Sequence, residues 1–275
     1  MSTGIDLVVQ ISDTHVGSTM GLLRPGFRYA DDDHIKEARL NLPQQWLWDR
    51  FTDATERIRE KVAGRQAALV IVGDVIEGYH HRTKQVWSQE SEHQVDAAVY
   101  TLGPLCSLFE KVFVVRGTEC HAGDHEHKFG VAVKAVVHQE TEKHAAEHWL
   151  IRVNGTVCSF RHHISATARK YLEGGGLSIH AGHEQLSALR AGWPVPTVMG
   201  RAHRHTHGIY SDGAALVAVC GGWQHATRHV HKACPASVAA PSFIPMDFRG
   251  RAPGSLPDVS GAWVYQPAAP EALTI

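Results

Sequence analysis

The sequence has no long apolar run and no strong excess of charge of either sign. Hydrophobic residues make up 43% and charged residues 20% of the 275 residues. This composition is ordinary for a globular protein and excludes the disordered and membrane-spanning classes. The formal net charge is −1 at pH 7, so we expect no general electrostatic attraction to nucleic acid or to anionic lipid. A phosphate-containing partner would have to be attracted locally.

Paired cysteines, linker-like segments and targeting signals are also missing. The five cysteines are widely spaced and include no Cys-x-x-Cys pair, which argues against a disulfide framework and a thiolate zinc site. Strand-like sequence begins at about Ile5, which leaves no room for a secretory signal, so we expect a cytoplasmic protein. We predict one domain over 1–275, with an insertion at about 18–43 and an irregular C-terminal tail from about 235.

Histidine, in contrast, is abundant, and many of the 21 histidines stand in short clusters. Such clustering is a compositional indication of metal binding. The first candidate follows the apolar stretch Leu7–Ile11, which reads as a short buried strand and is followed by Asp13 and His15. Two residues apart in an extended segment, these side chains project to the same side. They can therefore place an oxygen and a nitrogen on one divalent metal at the carboxyl end of a strand.

Two further apolar stretches end in the same way. Ala67–Val72 reads as a fully buried parallel strand and is followed by Gly73 and Asp74. The helical pattern over 44–62 predicts a right-handed crossover, which would bring Asp74 to the first motif, where its two oxygens can bridge two metals. Lys111–Val115 is the third such strand, and a polar turn over 116–121 follows it. Turns seldom carry carboxylate and imidazole three times over, so together the strands favour a metal site.

Histidines also follow two strands of the second half. A hairpin over 149–160 with an Asn-Gly turn ends in the pair His162-His163. A strand over 195–199 opens onto His203 and His205, which lie on one side of an extended segment and can serve two adjacent metals. Taken alone, the His162-His163 pair is equally consistent with a solvent-facing loop.

The ordered set of motifs resembles the calcineurin-like metallophosphoesterase family. Its members are Asp13-x-His15, Gly73-Asp74, Gly117-Thr118-Glu119-Cys120-His121, His162-His163 and His203-x-His205. The resemblance spans about residues 5–220 and implies an α/β fold, a β-sandwich core flanked by helices in four αββα layers. It also implies a dinuclear centre with Asp74 as the bridging ligand. The metal ligands it implies are Asp13, His15, Asp74, Glu119, His162, His203 and His205.

The third motif departs from the family pattern of Gly-Asn-His. Thr118 stands where the family has its Asn ligand, and Glu119 where it has its His. We expect Glu119 to replace the Asn oxygen and His121 to act as the catalytic histidine that protonates the leaving oxygen, with Thr118 as the alternative ligand. His163 is likewise the alternative to His162. The Gly-Thr-Glu-x-His version is similar to phosphoesterases encoded in phages and prophages.

The resemblance implies a metal-dependent phosphoesterase. Phosphodiesters are the expected substrate class, with nucleic acid or nucleotides among them, which would make the protein a nuclease. Mn²⁺ is the expected metal, with Fe and Zn²⁺ as alternatives. The planar forks of Arg116, Arg201 and Arg204 suit phosphate contacts. The alternative is a metal-binding scaffold of the same fold that has lost catalysis, because the altered third motif includes the expected catalytic position. No membrane partner is expected.

Overall fold

The structure is a computed structural model that describes residues 4–80, 82–121, 123–164, 173–228 and 240–266. The strands are β1 (Leu7–Ile11), β2 (Arg28–Asp31), β3 (His34–Glu37), β4 (Ala67–Val72), β5 (Lys111–Val115), β6 (Trp149–Val153), β7 (Thr156–Phe160), β8 (Val198–Arg201), β9 (Gly208–Ser211), β10 (Leu216–Val219), β11 (Ser242–Asp247) and β12 (Trp263–Val264). The helices are α1 (Leu42–Val62), α2 (Ser91–Cys106), α3 (His125–Ala132) and α4 (Glu173–Ala191).

Ten of the described strands form two five-stranded sheets, and β2 and β3 form a separate two-stranded sheet. In the first sheet the order is β12-β11-β1-β4-β5, with β1, β4 and β5 parallel and β11 antiparallel to β1. In the second sheet the order is β6-β7-β8-β10-β9, with β7, β8 and β10 parallel. The carboxyl ends of parallel strands lie at one edge of a sheet. Each sheet therefore offers one edge at which residues from several strands can meet.

Helix α1 shows how the sequence specifies an element of this fold. The chain enters it through a capping box, in which Asn41 accepts a hydrogen bond from the main chain of Gln44 at 2.9 Å. Its buried face repeats every three to four residues, as helical geometry requires. The buried apolar residues of that face are Leu47, Phe51, Ala54, Ile58 and Val62.

Alternating side chains divide the core into layers. In β1, Leu7, Val9 and Ile11 join the apolar cluster that includes the buried faces of α1 and α2. Val8 points the other way, into the cluster between the two sheets. Helix α4 packs on the outer face of the second sheet. The resulting order of helix, sheet, sheet and helix confirms the predicted fold class.

The tail predicted as irregular from about 235 contains β11, a buried strand beside β1. Helix α3 ends at Ala132, and α4 extends over Glu173–Ala191. The predicted insertion contains the largely exposed β2–β3 hairpin. None of the described helices is both long enough and apolar enough to cross a membrane.

Candidate metal centre

Residues from five strand ends converge at one place between the two sheets. Asp13 and His15 follow β1, Asp74 follows β4, Thr118 follows β5, His162 follows β7, and His203 and His205 follow β8. These positions are far apart in the sequence, and the parallel strands bring them to neighbouring carboxyl ends. The structure thus brings together six of the seven predicted metal-ligating residues, all except Glu119.

Five of the converging residues have left-handed backbone conformations. The φ angles are 51° for Asp13, 42° for His15, 51° for Asp74, 73° for His203 and 56° for His205. Side chains other than glycine avoid this region, and each such residue costs of order 1 kcal/mol or more. Strain of this kind is concentrated at ligand sites, where the surrounding structure fixes an otherwise unfavourable orientation.

Two glycines allow the strand ends to approach each other closely. A Cβ atom on Gly73 would lie 2.4 Å from Nδ1 of His162, and one on Gly117 would lie 2.2 Å from Oδ1 of Asp74. Either contact is shorter than atoms tolerate, so a side chain at either position would push the strand ends apart. The glycines of the Gly-Asp and Gly-Thr motifs are therefore required by the approach of the neighbouring strand ends.

One half of the centre is formed by Asp13, His15 and His205, with Asp74 at its edge. Nε2 of His15 lies 3.2 Å from Nε2 of His205, and the latter lies 3.5 Å from Oδ1 of Asp13. Nε2 of His15 lies 3.7 Å from Oδ2 of Asp74. Metal–nitrogen and metal–oxygen bonds of about 2.0–2.2 Å can connect donors at such separations to one ion.

The other half is formed by His162 and His203 around the same Asp74 oxygen. Nε2 of His162 lies 3.1 Å from Oδ2 of Asp74 and 3.2 Å from Nδ1 of His203. Nδ1 of His162 lies 2.8 Å from the main-chain oxygen of Val72, so a proton on Nδ1 leaves Nε2 to bind a metal. His163 also offers a donor atom within 4.8 Å of those of His162 and His203, but it is exposed, whereas His162 is buried and lies against Asp74, which favours His162 as the ligand.

The charges of the centre suit divalent cations. Oδ1 of Asp13 is buried and has no hydrogen-bond partner, and such an atom is costly unless a cation compensates it. Burial opposes ionisation of Asp74, but attraction to His162 and a hydrogen bond from it prevail and lower the pKa of Asp74 far below its usual range. Burial lowers the pKa of His205 to about 4, so that ring is neutral and able to bind a metal at pH 7. The oxygen and nitrogen donors thus fit divalent metal ions.

Glu77 supports the first half of the centre, and the sequence analysis did not identify it as a site residue. Its Oε2 lies 2.9 Å from Nδ1 of His15 and accepts a hydrogen bond from Gln224 at 2.7 Å. A carboxylate on the far nitrogen of a ligating histidine fixes the ring and increases its basicity. Glu77 follows Asp74 by three residues in the same turn, and this proximity was the one available signal.

Glu126, on α3, connects two of the strand ends. Its carboxylate accepts hydrogen bonds from the main-chain amides of Val75 at 3.2 Å and Gly117 at 2.6 Å. Burial, followed by repulsion from Asp74, raises the pKa of Glu126 to about 7. Nothing in the spacing of this residue distinguished it from the surrounding polar run, so the sequence analysis missed it.

Glu119 does not join the centre, which contradicts its predicted role as a ligand. Its side chain is exposed and is absent from the described groups of converging donor atoms. Thr118 takes the place instead. Its amide donates to Oδ1 of Asp74 at 2.6 Å, and its hydroxyl lies 3.3 Å from Oδ2 of Asp74 and 3.4 Å from Nε2 of His162. The turn after β5 directs Thr118 inward, and the next side chain then points outward.

Arg201 also lies elsewhere, so its predicted role as a phosphate contact was wrong. The side chain is fully buried in the second sheet. Its guanidinium forms an ion pair with Glu184 and donates to Nε2 of His180 and to the main-chain oxygens of Ser159 and Gly200. None of the guanidinium nitrogens therefore remains for substrate. The guanidinium of Arg201 therefore connects β8 to α4 through Glu184 and His180.

His121 and Arg116 border the centre. Nδ1 of His121 lies 2.9 Å from the main-chain oxygen of Glu77, and its ring centre lies 4.8 Å from that of His15. Burial, followed by repulsion from His15, lowers the pKa of His121. Arg116 is partly exposed and donates to the main-chain oxygen of Gly123 at 2.9 Å. The roles assigned to both residues remain predictions.

Comparison with solved structures finds distant similarities in fold. Wild-type Vps29 complexed with Zn²⁺ from Entamoeba histolytica has a TM-score of 0.42 and 14% identity, over 89% of this chain and 87% of that one. An archaeal phosphodiesterase has a TM-score of 0.42 and 9% identity, over 88% and 93%. A hypothetical protein from Pyrococcus horikoshii has a TM-score of 0.45 and 10% identity, over 94% and 87%. No protein-family model and no curated protein matches the sequence.

Proposed function

We propose that this protein is a metal-dependent phosphodiesterase with a dinuclear centre, with Mn²⁺ as the expected metal. The observation that supports the proposal is the meeting of two carboxylates and four imidazoles from opposite sheets. Their donor atoms form overlapping groups within 4.8 Å, and Asp13 and Asp74 are shared between groups. Ion pairs that serve stability alone seldom need strained backbone at five of these positions.

Each half of the centre would hold one ion, with Asp74 between them. Two such ions, when bound, neutralise charge on a phosphoryl group and lower the pKa of a coordinated water. Glu77 would keep Nε2 of His15 directed at the first ion, and Val72 would do the same for His162. His121 would deliver a proton to the leaving oxygen, and its hydrogen bond to Glu77 fixes the ring for that transfer.

The corrected position of Arg201 favours diesters over monoesters as substrates. A diester carries one negative charge at neutral pH, whereas a monoester carries up to two and needs more cationic contacts outside the metals. With Arg201 buried against Glu184, fewer arginines are available for such contacts. Arg116 and Arg204 remain the proposed contacts to the phosphate.

Hydrolysis of bis(p-nitrophenyl) phosphate by metal-depleted protein supplemented with Mn²⁺ tests the proposal. We expect turnover that depends on Mn²⁺, and a loss of at least about 100-fold in Asp74→Asn, because a bridging ligand should matter at least as much as the residues that orient ligands. Asp33→Asn is a matched control, since Asp33 is exposed in the turn between β2 and β3. Equal turnover by Asp74→Asn and wild type would contradict the role of the centre.

The second candidate is a metal-binding scaffold without catalysis, and Thr118 favours it. A neutral hydroxyl is a weaker ligand than a carboxylate or an amide oxygen, and here it lies within hydrogen-bond distance of Asp74. Two bound equivalents of metal without turnover of any phosphoester would support the scaffold over the phosphodiesterase.

A further inference from the structure

A second group of metal-binding side chains lies beside the dinuclear centre. His80, Cys120 and His121 each present a nitrogen or sulfur atom, and these atoms lie within 4.8 Å of one another. The rings of His80 and His121 meet edge to face, with their centres 4.3 Å apart. Cys120 is the exposed member of the group, so its sulfur can rotate toward the two rings.

Glu77 orients both rings of this group. Its Oε1 lies 3.2 Å from Nε2 of His80, and its main-chain oxygen lies 2.9 Å from Nδ1 of His121. In His121 the contact engages Nδ1, so Nε2 is the nitrogen that would bind an ion. Histidines held in this way by a carboxylate or a carbonyl are typical of metal ligands in proteins. The group therefore has both a donor set and a supporting arrangement.

We propose that His80, Cys120 and His121 form a third cation site, selective for a thiophilic divalent ion such as Zn²⁺. A thiolate with two imidazoles is a donor set that zinc prefers. The thiol of Cys120 would release its proton to solvent as the sulfur binds. Donors on one zinc lie about 3.5 Å apart at ordinary bond lengths, so side-chain rotations of Cys120 and His80 would close the site.

Occupation of this site would inhibit the enzyme. His121 also lies within 4.8 Å of donor atoms on His15 and Asp74, so it belongs to both groups. A nitrogen bound to zinc cannot carry the proton that the leaving oxygen needs. The site itself does not depend on the proposed function, whereas this inhibition rests on it.

Cobalt binding tests the site without any assay of activity. Metal-free protein is titrated with Co²⁺, and the near-ultraviolet absorption of a thiolate-to-cobalt charge transfer is recorded. The dinuclear centre contains no cysteine among its converging residues, so this absorption reports on a cysteine-containing site alone. We expect it in wild type and in Cys234→Ser, and we expect its loss in Cys120→Ser. His80→Ala should weaken the affinity of this site for Co²⁺ by at least about tenfold.

Two results would overturn the proposal. One is the absence of the charge-transfer absorption in wild-type protein saturated with Co²⁺, and the other is its persistence in Cys120→Ser. In a separate arm, excess Zn²⁺ should inhibit the Mn²⁺-supplemented wild type and spare Cys120→Ser. Equal inhibition of wild type and Cys120→Ser by Zn²⁺ would overturn the inhibitory role of the site but not the site itself. If the protein shows no phosphoesterase turnover, the cobalt absorption alone decides whether the site exists.

Discussion

At the scale of single residues, five of the converging side chains have a left-handed backbone, and two of the histidines have a far nitrogen that already contacts an oxygen. His15 is held by Glu77 and His162 by the main chain of Val72. These contacts engage Nδ1 of each ring and direct Nε2 toward the centre before an ion binds. Orientation of this kind lowers the entropy that binding would otherwise lose.

Thr118 and Glu119 give a direct comparison of two adjacent residues. Because Thr118 faces Asp74 and Glu119 is exposed, we expect Thr118→Ala to weaken binding of the ion on the His162 side of the centre by about tenfold. Glu119→Gln should leave it unchanged. Isothermal titration calorimetry of the metal-free variants with Mn²⁺ measures both affinities. The opposite ranking would restore Glu119 as the ligand.

If His121 is the general acid, its contribution to the rate should depend on the leaving group of the substrate. Removal of a general acid slows expulsion of a poor leaving group far more than of a good one. We expect His121→Ala to lower kcat for an alkyl phosphodiester by about 100-fold or more, with little change for a nitrophenyl ester. His34→Ala, which removes an exposed histidine on β3, is the control. Equal losses on both esters would point to metal binding by His121 and not to proton transfer.

At the scale of elements, short parallel strands determine where the site lies. Continuous apolar stretches such as Ala67–Val72 were predictable, because a strand buried on both faces needs no polar alternation. Their polar ends were therefore predictable as well. β11 was not, because Pro245 interrupts its pattern and its partner β1 lies more than 200 residues away.

The residues that sequence reasoning misassigned share a physical cause. The direction of the Glu119 side chain depends on the conformation of one turn, and Arg201 is held away from the site by Glu184 on α4. Glu126 acts through main-chain amides of two separate turns. Residue type and spacing contain none of this information, since each case depends on tertiary contacts.

The Glu184–Arg201 pair connects α4 to the second sheet and should be visible in stability. Burial alone would raise the pKa of Glu184, but a hydrogen bond from His180 and attraction to Arg201 prevail and lower it. Its contribution is therefore complete above the unfolded pKa of about 4.5 and is lost as pH falls below that value. We expect Glu184→Gln to reduce the free energy of unfolding by about 3 kcal/mol at pH 7.

Urea unfolding of wild type and Glu184→Gln between pH 7 and pH 3 measures this contribution. The difference between the two proteins should shrink as the pH falls below about 4.5, because the unfolded wild type then binds a proton at Glu184 that the folded state, with its lowered pKa, does not bind. Asp74 and Glu77 titrate alike in both proteins, so their effect cancels in the difference between the two unfolding free energies. A constant difference across this range would show that the charge of Glu184 does not contribute.

At the scale of the whole molecule, the αββα sandwich brings together residues from position 13 to position 205. The two sheets meet at their carboxyl-terminal edges, and each contributes imidazoles, while the first sheet contributes both carboxylates. The near-neutral chain can thus attract a phosphate locally, because bound cations would reverse the charge of an acidic cluster. We propose that this cluster binds two ions around Asp74.

Anomalous diffraction from crystals grown with Mn²⁺, collected on both sides of the manganese absorption edge, tests that claim most directly. We predict two anomalous peaks about 3.5–4 Å apart, with Asp74 between them, Asp13, His15 and His205 around one, and His162 and His203 around the other. The absence of peaks at saturating Mn²⁺, or a single peak without contact to Asp74, would contradict the account.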